Sequence, residues 1–471
     1  MKFNSTRGKV KGLSFEEAIF TGYALDGGLL LPQAIPKLEI KILKEWATLS
    51  YKELCYEILS LFVSEEEVLR HDLKEIISKA YCESKFPNKN ICNLTRLDNN
   101  LHILELFHGK TKAFKDNALV LVAAFLDFFL GRKKRHTTIL VGTSGDTGSA
   151  AIESIRGLAL IDIVVLFPKG YCNTIQELQM TTVIEDNVHV FECEGSSDDL
   201  DIPVKKCLTD EGLVTKYNLG SINSINIGRL LAQIVFYFYA YFKVCKEVGS
   251  IVKFVVPTGA MGNITAGYVA YNMGLPLKLH AAVNDNNIVH RMISQGDFSL
   301  AESITKTWSP AMDIQMPYNM ERMWLIASDF NYDLVSSLTQ TFEEHSAVTS
   351  FPETLTNKLK IVVSSDWVSR EATLDTMRRA WDSYHYLVCP HTAVGLRLAL
   401  QKRDAEDDGT PVVCVATASP DKFPEAVKAA GIDVPPSPDI LRLAEMPTRR
   451  EFMRQGEDWE KILRDKIAKI G

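Results

Sequence analysis

At 471 residues the chain is too long for one simple core, and its length fits about two to four domains. Its 46% hydrophobic and 24% charged residues are those of an ordinary globular protein, and a net charge of −7 argues against a general nucleic-acid binder, which carries a basic surface. Nine scattered cysteines, with no CxxC pair and no metal-type spacing, read as small core residues in a reducing compartment and point to no metal site.

Residues 1–7 lack the apolar stretch of a secretory signal. Lys2, Arg7, Lys9 and Lys11 precede the first acid, Glu16, so a mitochondrial presequence stands as the alternative to a cytoplasmic protein. Residues 1–95 are expected to form a mainly helical domain, with helices near 38–47, 51–62 and 65–80 broken by Pro32, Pro36 and Pro87. The texture then changes. Short β-branched runs at 137–141, 161–166, 188–191, 252–256, 277–283 and 412–415 alternate with longer helical patterns, the signature of an α/β core with a largely parallel sheet over 96–430. The apolar runs 118–130 and 230–242 are too short to span a bilayer and are interrupted by Asp127 and Gln233, so they read as buried helices. The basic run 132–136 reads as a solvated turn, and the acidic stretch 401–409 as a solvated loop. Pro435, Pro436 and Pro438 set off a charged helical tail, 431–471.

Three segments carry chemistry. In His108-Gly109-Lys110-Thr111-Lys112-Ala113-Phe114-Lys115-Asp116-Asn117, Lys115 sits at the mouth of an apolar helix, where partial desolvation favours the neutral, nucleophilic amine that condenses with an aldehyde. Taken alone, however, it reads as a surface lysine at a helix start, and only its context argues otherwise. The run Thr143-Ser144-Gly145-Asp146-Thr147-Gly148 follows a strand and opens a helix; its amides suit a carboxylate or phosphate, unless Asp146 is only a cap. It is neither a Walker loop nor a nucleophile elbow. The run Pro257-Thr258-Gly259-Ala260-Met261-Gly262-Asn263 repeats the pattern, and Gly259 and Gly262 allow amides to converge on one oxyanion. Two anion sites call for two anionic groups, a phosphate-bearing cofactor and an anionic substrate. Lysine, aldehyde and phosphate together indicate pyridoxal phosphate (PLP).

At these residues the sequence resembles the threonine synthase family, within the fold-type II PLP enzymes related to tryptophan synthase β. The match spans nearly the whole chain, from Ser5-Thr6-Arg7-Gly8 and residues 23–29 through Phe114-Lys115-Asp116, residues 143–148, Pro168-Lys169-Gly170, Asn223-Ser224-Ile225-Asn226 and residues 257–262 to Pro390-His391-Thr392-Ala393-Val394-Gly395 and residues 416–423. The resemblance implies two α/β subdomains with parallel-rich sheets, the smaller one mobile and near 130–245, beside the helical N-terminal segment. It implies that Lys115 holds PLP covalently and later shuttles protons, and that Asn117 lies near the PLP 3′-oxygen. The amides of Gly259, Ala260, Met261, Gly262 and Asn263 would grip its phosphate, and Thr417 would offer a hydroxyl to its ring nitrogen. Thr143, Ser144, Asp146 and Thr147 would surround the substrate carboxylate, with Lys169, Ser224, Asn226 and Arg229 as candidates for the substrate phosphate.

The sequence also departs from the family pattern. Lys110 replaces a usual proline, Ala260-Met261 a usual Asn-Phe, Cys389 a common acid and Ser419 a common histidine, while Tyr318 and Met320 interrupt the usual Pro-Ser-Asn-Phe-Glu-Arg. Several of these look like the animal threonine-synthase-like 2 branch. That branch implies a catabolic phospho-lyase acting on O-phosphothreonine and O-phosphohomoserine, a small phosphorylated amino acid being the partner and neither nucleic acid nor membrane, in a monomer or homodimer. The alternatives are threonine synthase itself, a non-catalytic signalling protein on a PLP scaffold, and a sugar- or nucleotide-phosphate enzyme without PLP. Among the histidines only His391 is well placed, and a lone loop histidine is more often structural.

Overall fold

The computed structural model describes residues 1–87, 91–348, 351–405 and 408–471. Its centre is a six-stranded sheet in the order Val363–Trp367, Leu277–Val283, Val252–Pro257, Val412–Ala416, Leu101–Glu105 and Asn93–Asp98. Neighbours run parallel except Asn93–Asp98, which is antiparallel to Leu101–Glu105. The inner strands are apolar on both faces because helices cover both: Val412–Ala416 is buried throughout. Helix Pro390–Ala405 packs on Val412–Ala416 and Val252–Pro257, while Gly262–Asn272 packs against Ile227–Val244.

A second sheet runs Glu451–Met453, Val188–Cys193, Ile161–Pro168, Thr137–Gly142 and Leu219–Gly220, parallel throughout. Two parallel-rich sheets with helices on their faces make this the α/β architecture expected from the sequence. Helix Lys115–Lys133 is apolar on every face from Ala118 to Leu126 and is buried throughout that stretch. It ends as the basic run predicts, with exposed Arg132 and Lys133 in the last turn and Lys134 left-handed at φ 49°. No described helix is long and apolar enough to cross a membrane.

Several boundaries differ from the sequence reading. The segment 431–471 is more than a helical tail, since Glu451–Met453 adds an edge strand to the smaller sheet and Leu463 and Ile467 of helix Trp459–Ile470 are buried beneath it. Segment 1–95 holds the helices Ile40–Trp46, Tyr51–Ser60 and Arg70–Ala80, but also pairs Phe3–Ser5 with Leu30–Pro32 and contributes the start of Asn93–Asp98 to the large sheet. Helix Ile227–Val244, placed by the sequence in the small unit, packs against Tyr51–Ser60, Lys115–Lys133 and Gly262–Asn272. Residues 401–405 continue helix Pro390–Ala405, and the rest of that acidic stretch lies partly outside the described residues. Asn93–Asp98 and Val363–Trp367 escaped the sequence reading because both are edge strands with polar, half-exposed residues.

Candidate active site

In open parallel sheets the carboxyl ends of the strands, where helices begin, form the natural crevice. Here four segments leave such ends: Leu101–Glu105 leads to Lys115, Thr137–Gly142 to the 143–148 turn, Val252–Pro257 to the 258–263 turn, and Val412–Ala416 to Thr417. All four meet in one cavity, whose wall holds Lys115, Thr143, Ser144, Asp146, Thr147, Ser224, Arg229, Gly259, Ala260, Met261, Gly262, Asn263 and Thr417.

Lys115 is the first residue of its helix, and its approach is fixed by Thr417: the Phe114 N–H donates to the Thr417 carbonyl at 2.7 Å. Asp116 braces the same turn from behind, accepting from the Thr111 N–H at 2.8 Å and its hydroxyl at 2.7 Å. Burial pushes that carboxyl up to about 6.

The charge arrangement centres on Asp146. Its Oδ1 lies 2.8 Å from the Lys422 amine and accepts from Gln176 Nε2 at 2.9 Å, while its Oδ2 lies 3.6 Å from the Lys115 amine. Lys422, with no exposed surface, also donates to the Thr111 carbonyl at 2.8 Å. Against the opposing effect of burial, Lys422 and then Lys115 hold the Asp146 carboxyl far below the usual carboxylate range. Burial brings Lys115 down to about 8; Asp146 resists this, and Arg229 and Lys422 add to it. The result is an amine that loses its proton near neutrality, as a nucleophile or base requires.

Opposite features suit an anion. Among the described residues the N–H groups of Gly259, Ala260, Met261, Gly262, Asn263 and Ile264 have no hydrogen-bond acceptor. The turn that exposes them depends on a left-handed Met261 at φ 63° and on Gly259, where a Cβ would meet the Ala311 carbonyl oxygen at 2.6 Å. Asn319 holds the turn through its Nδ2, 2.9 Å from the Ala260 carbonyl. The amides of Ser144, Asp146 and Thr147 likewise have no acceptor among the described residues, in a turn shaped by Thr143 Oγ1, which accepts from Gly145 and Gly148 at 2.9 Å each. Arg229 is buried with no carboxylate partner among the described residues, and burial pulls its guanidinium down to about 10.

Three predicted site residues lie outside the cavity wall. Asn226 is a helix cap: its Oδ1 accepts from Gly228 at 2.8 Å and its Nδ2 donates to the Ile19 and Ser221 carbonyls. Lys169 is exposed and paired with Glu194 at 3.1 Å. Asn117 is buried beside Cys92, to whose sulfur it donates at 3.6 Å. Asp146 keeps its place in the wall but changes role. A carboxylate engaged by two lysines repels a substrate carboxylate, which leaves the amides of its turn for that task. Gln176 carries no local signal, and Lys422 passed unassigned because Ser-Pro-Asp-Lys reads locally as a turn. Tyr23, Asp201, Gln233 and Tyr318 also join the wall without a local signal.

Fold and site together define a fold-type II PLP enzyme architecture. The chain matches family models for the threonine synthase N terminus over residues 2–81 and the threonine synthase C-terminal region over 392–464. It is 47% identical to threonine synthase-like 2 of Pongo abelii, covering 100% of this chain and 97% of that protein. The structure superposes on PLP-bound threonine synthase from Brucella melitensis with a TM-score of 0.89 at 35% identity, covering 99% and 98% of the two chains. It superposes on the yeast enzyme with 0.90 at 34%, covering 100% and 99%. The chain belongs to the threonine synthase family.

Proposed function

We propose that the chain is a PLP-dependent phospho-lyase that converts O-phosphothreonine, O-phosphohomoserine or both, with one water, to 2-oxobutanoate, ammonia and phosphate. The observation that carries the cofactor assignment is the pairing, in one cavity, of a lysine with a pKa near 8 and a row of six unpaired amides. The residues fit PLP. Lys115 would take its aldehyde, the 259–264 turn its phosphate, and Thr417, whose hydroxyl has no partner among the described residues, its ring nitrogen. When bound, PLP supplies an electron sink for charge developing at the substrate Cα.

The protein supplies positioning and protons. The free Lys115 amine takes the Cα proton, and Asp146 keeps that amine in place without neutralising it, because Lys422 holds the other carboxylate oxygen. The amides of Ser144, Asp146 and Thr147 receive the substrate carboxylate, and Arg229 and Ser224 its phosphate. The likeness to threonine synthase-like 2 along the full chain favours the lyase reading over threonine synthase. The supporting assignments are a cytoplasmic protein, acting as monomer or homodimer. Incubation with each phosphorylated amino acid, followed by chromatography, tests the reaction. Phosphate and 2-oxobutanoate in equal amounts support the lyase; threonine as main product assigns the synthase, and no phosphate release from either removes the enzyme reading.

Two further outcomes follow from the site. Since only a neutral amine attacks an aldehyde, PLP capture by the apoprotein should quicken about tenfold per pH unit up to a plateau near pH 8. Asp146→Asn removes a charge that raises the Lys115 pKa and should move the inflection to lower pH. Stopped-flow absorbance measures both, and a profile flat from about pH 6 to about pH 9 contradicts the assignment. Gly259→Ala forces the turn away from Ala311 and should weaken PLP binding by roughly tenfold to a hundredfold in equilibrium titration, through lost amide contacts.

A further inference from the structure

Five buried side-chain atoms of the cavity residues have no hydrogen-bond partner among the described residues: Asn223 Oδ1, Arg229 Nε, Gln233 Oε1, Asn263 Nδ2 and His391 Nδ1. For His391 the neighbours also settle where the ring proton sits. The residue is 3% exposed, near the start of helix Pro390–Ala405, with its ring centroid 4.9 Å from that of Phe423. The Ala311 N–H points at Nε2 from 3.2 Å. A backbone N–H only donates, so Nε2 presents its lone pair and the single proton of the neutral ring is on Nδ1. An imidazolium would set N–H against N–H at Ala311. Burial first, then Lys115 and Lys422 against the opposing pull of Asp146, keep the ring uncharged down to about 4. Nδ1–H is therefore a buried donor, on a residue of the cavity wall, with no acceptor among the described residues, a state that costs about 1–3 kcal/mol until an acceptor arrives. The same Ala311 whose N–H fixes the tautomer covers Gly259 with its carbonyl oxygen, so ring and phosphate turn share one support.

The geometry points to His391 as an uncharged hydrogen-bond donor that grips an anionic oxygen of the molecule in this cavity and orients it against Lys115. This rests on the PLP reading of the cavity. The oxygen belongs either to the cofactor or to the substrate, and the two sources separate experimentally.

The full-length protein is prepared with 15N-histidine, and the ring signals of His391 are identified by their loss in His391→Asn. Spectra are taken without ligand, with PLP alone, and with PLP plus a non-hydrolysable phosphonate analogue of O-phosphohomoserine. Borohydride labelling of Lys115 is run in parallel to report PLP in place. An Nδ1–H tautomer whose proton signal moves with PLP alone assigns a cofactor oxygen; movement only with the phosphonate assigns a substrate oxygen. Binding in the responding arm should fall about tenfold in His391→Phe and recover in His391→Asn, whose amide nitrogen stands near the place of Nδ1. With Lys115 labelled, an Nε2–H tautomer, or ring signals unmoved in both arms, overturns the inference and leaves the PLP reading intact. A Lys115 left unlabelled in the sample with PLP alone overturns both.

Discussion

Lys115→Ala should lower turnover on the phosphorylated amino acids at least about 10,000-fold, since the change removes both the covalent anchor and the proton carrier. The loss should be chemical and not structural. Asp146 would keep the Lys422 ion pair at 2.8 Å and the Gln176 amide at 2.9 Å, so its carboxylate stays compensated when the more distant Lys115 amine is gone. The lost methylenes sit at the cavity wall and not in the apolar core. A melting temperature within about 5 °C of the parent is therefore expected, with cofactor still able to occupy the cavity reversibly through the 259–264 amides. Kinetics and thermal melts measure the two effects on one preparation. Retention of more than about 1% of the rate with natural substrate would remove Lys115 from the chemistry.

Lys422→Met should have the opposite profile, with stability lost first. The ammonium is fully buried and joins Asp146 to the Thr111 carbonyl, which ties the 143–148 turn to the loop that presents Lys115. Removing one member of a buried pair leaves a charge without its partner, at a typical cost of about 3–5 kcal/mol. Lys115 remains near Asp146, which places the expectation at about 3 kcal/mol in denaturant unfolding. The same change removes a positive charge that lowers the Lys115 pKa, so the pH at which PLP capture levels off should rise above 8. Lys422→Met combined with Asp146→Asn should recover most of the stability, because neither half of that ion pair is then left charged without the other, while activity stays impaired. A single variant destabilised by less than about 1 kcal/mol would show that the pair does not hold the site together.

Much of this was legible along the chain because the decisive signals are local. A strand, a glycine-bearing turn and an apolar helix each announce themselves within ten residues, and both anion turns follow from such patterns, while Lys115 stood out only beside them and through the family resemblance. Local reading fails where a side chain serves its own helix or a distant partner. Asn226 precedes a helix and caps it, an outcome that competes with ligand binding at the same residue type. Lys422 and Asp146 are hundreds of positions apart, and Gln176 reaches Asp146 from another helix, so no window contains the network. Glu451–Met453 is three residues long, with only Met453 buried, too short for any periodicity. His391 shows the reverse limit. Its position hinted at a role, but only the Ala311 N–H fixes which nitrogen carries the proton.

The most direct test of the account is covalent trapping. Holoprotein treated with borohydride, digested and mapped by mass spectrometry should carry one pyridoxyl group, on Lys115, and Gly259→Ala should reduce its yield at limiting PLP. A pyridoxyl group on Lys422, the other buried amine beside Asp146, or no labelled lysine at all, would contradict it.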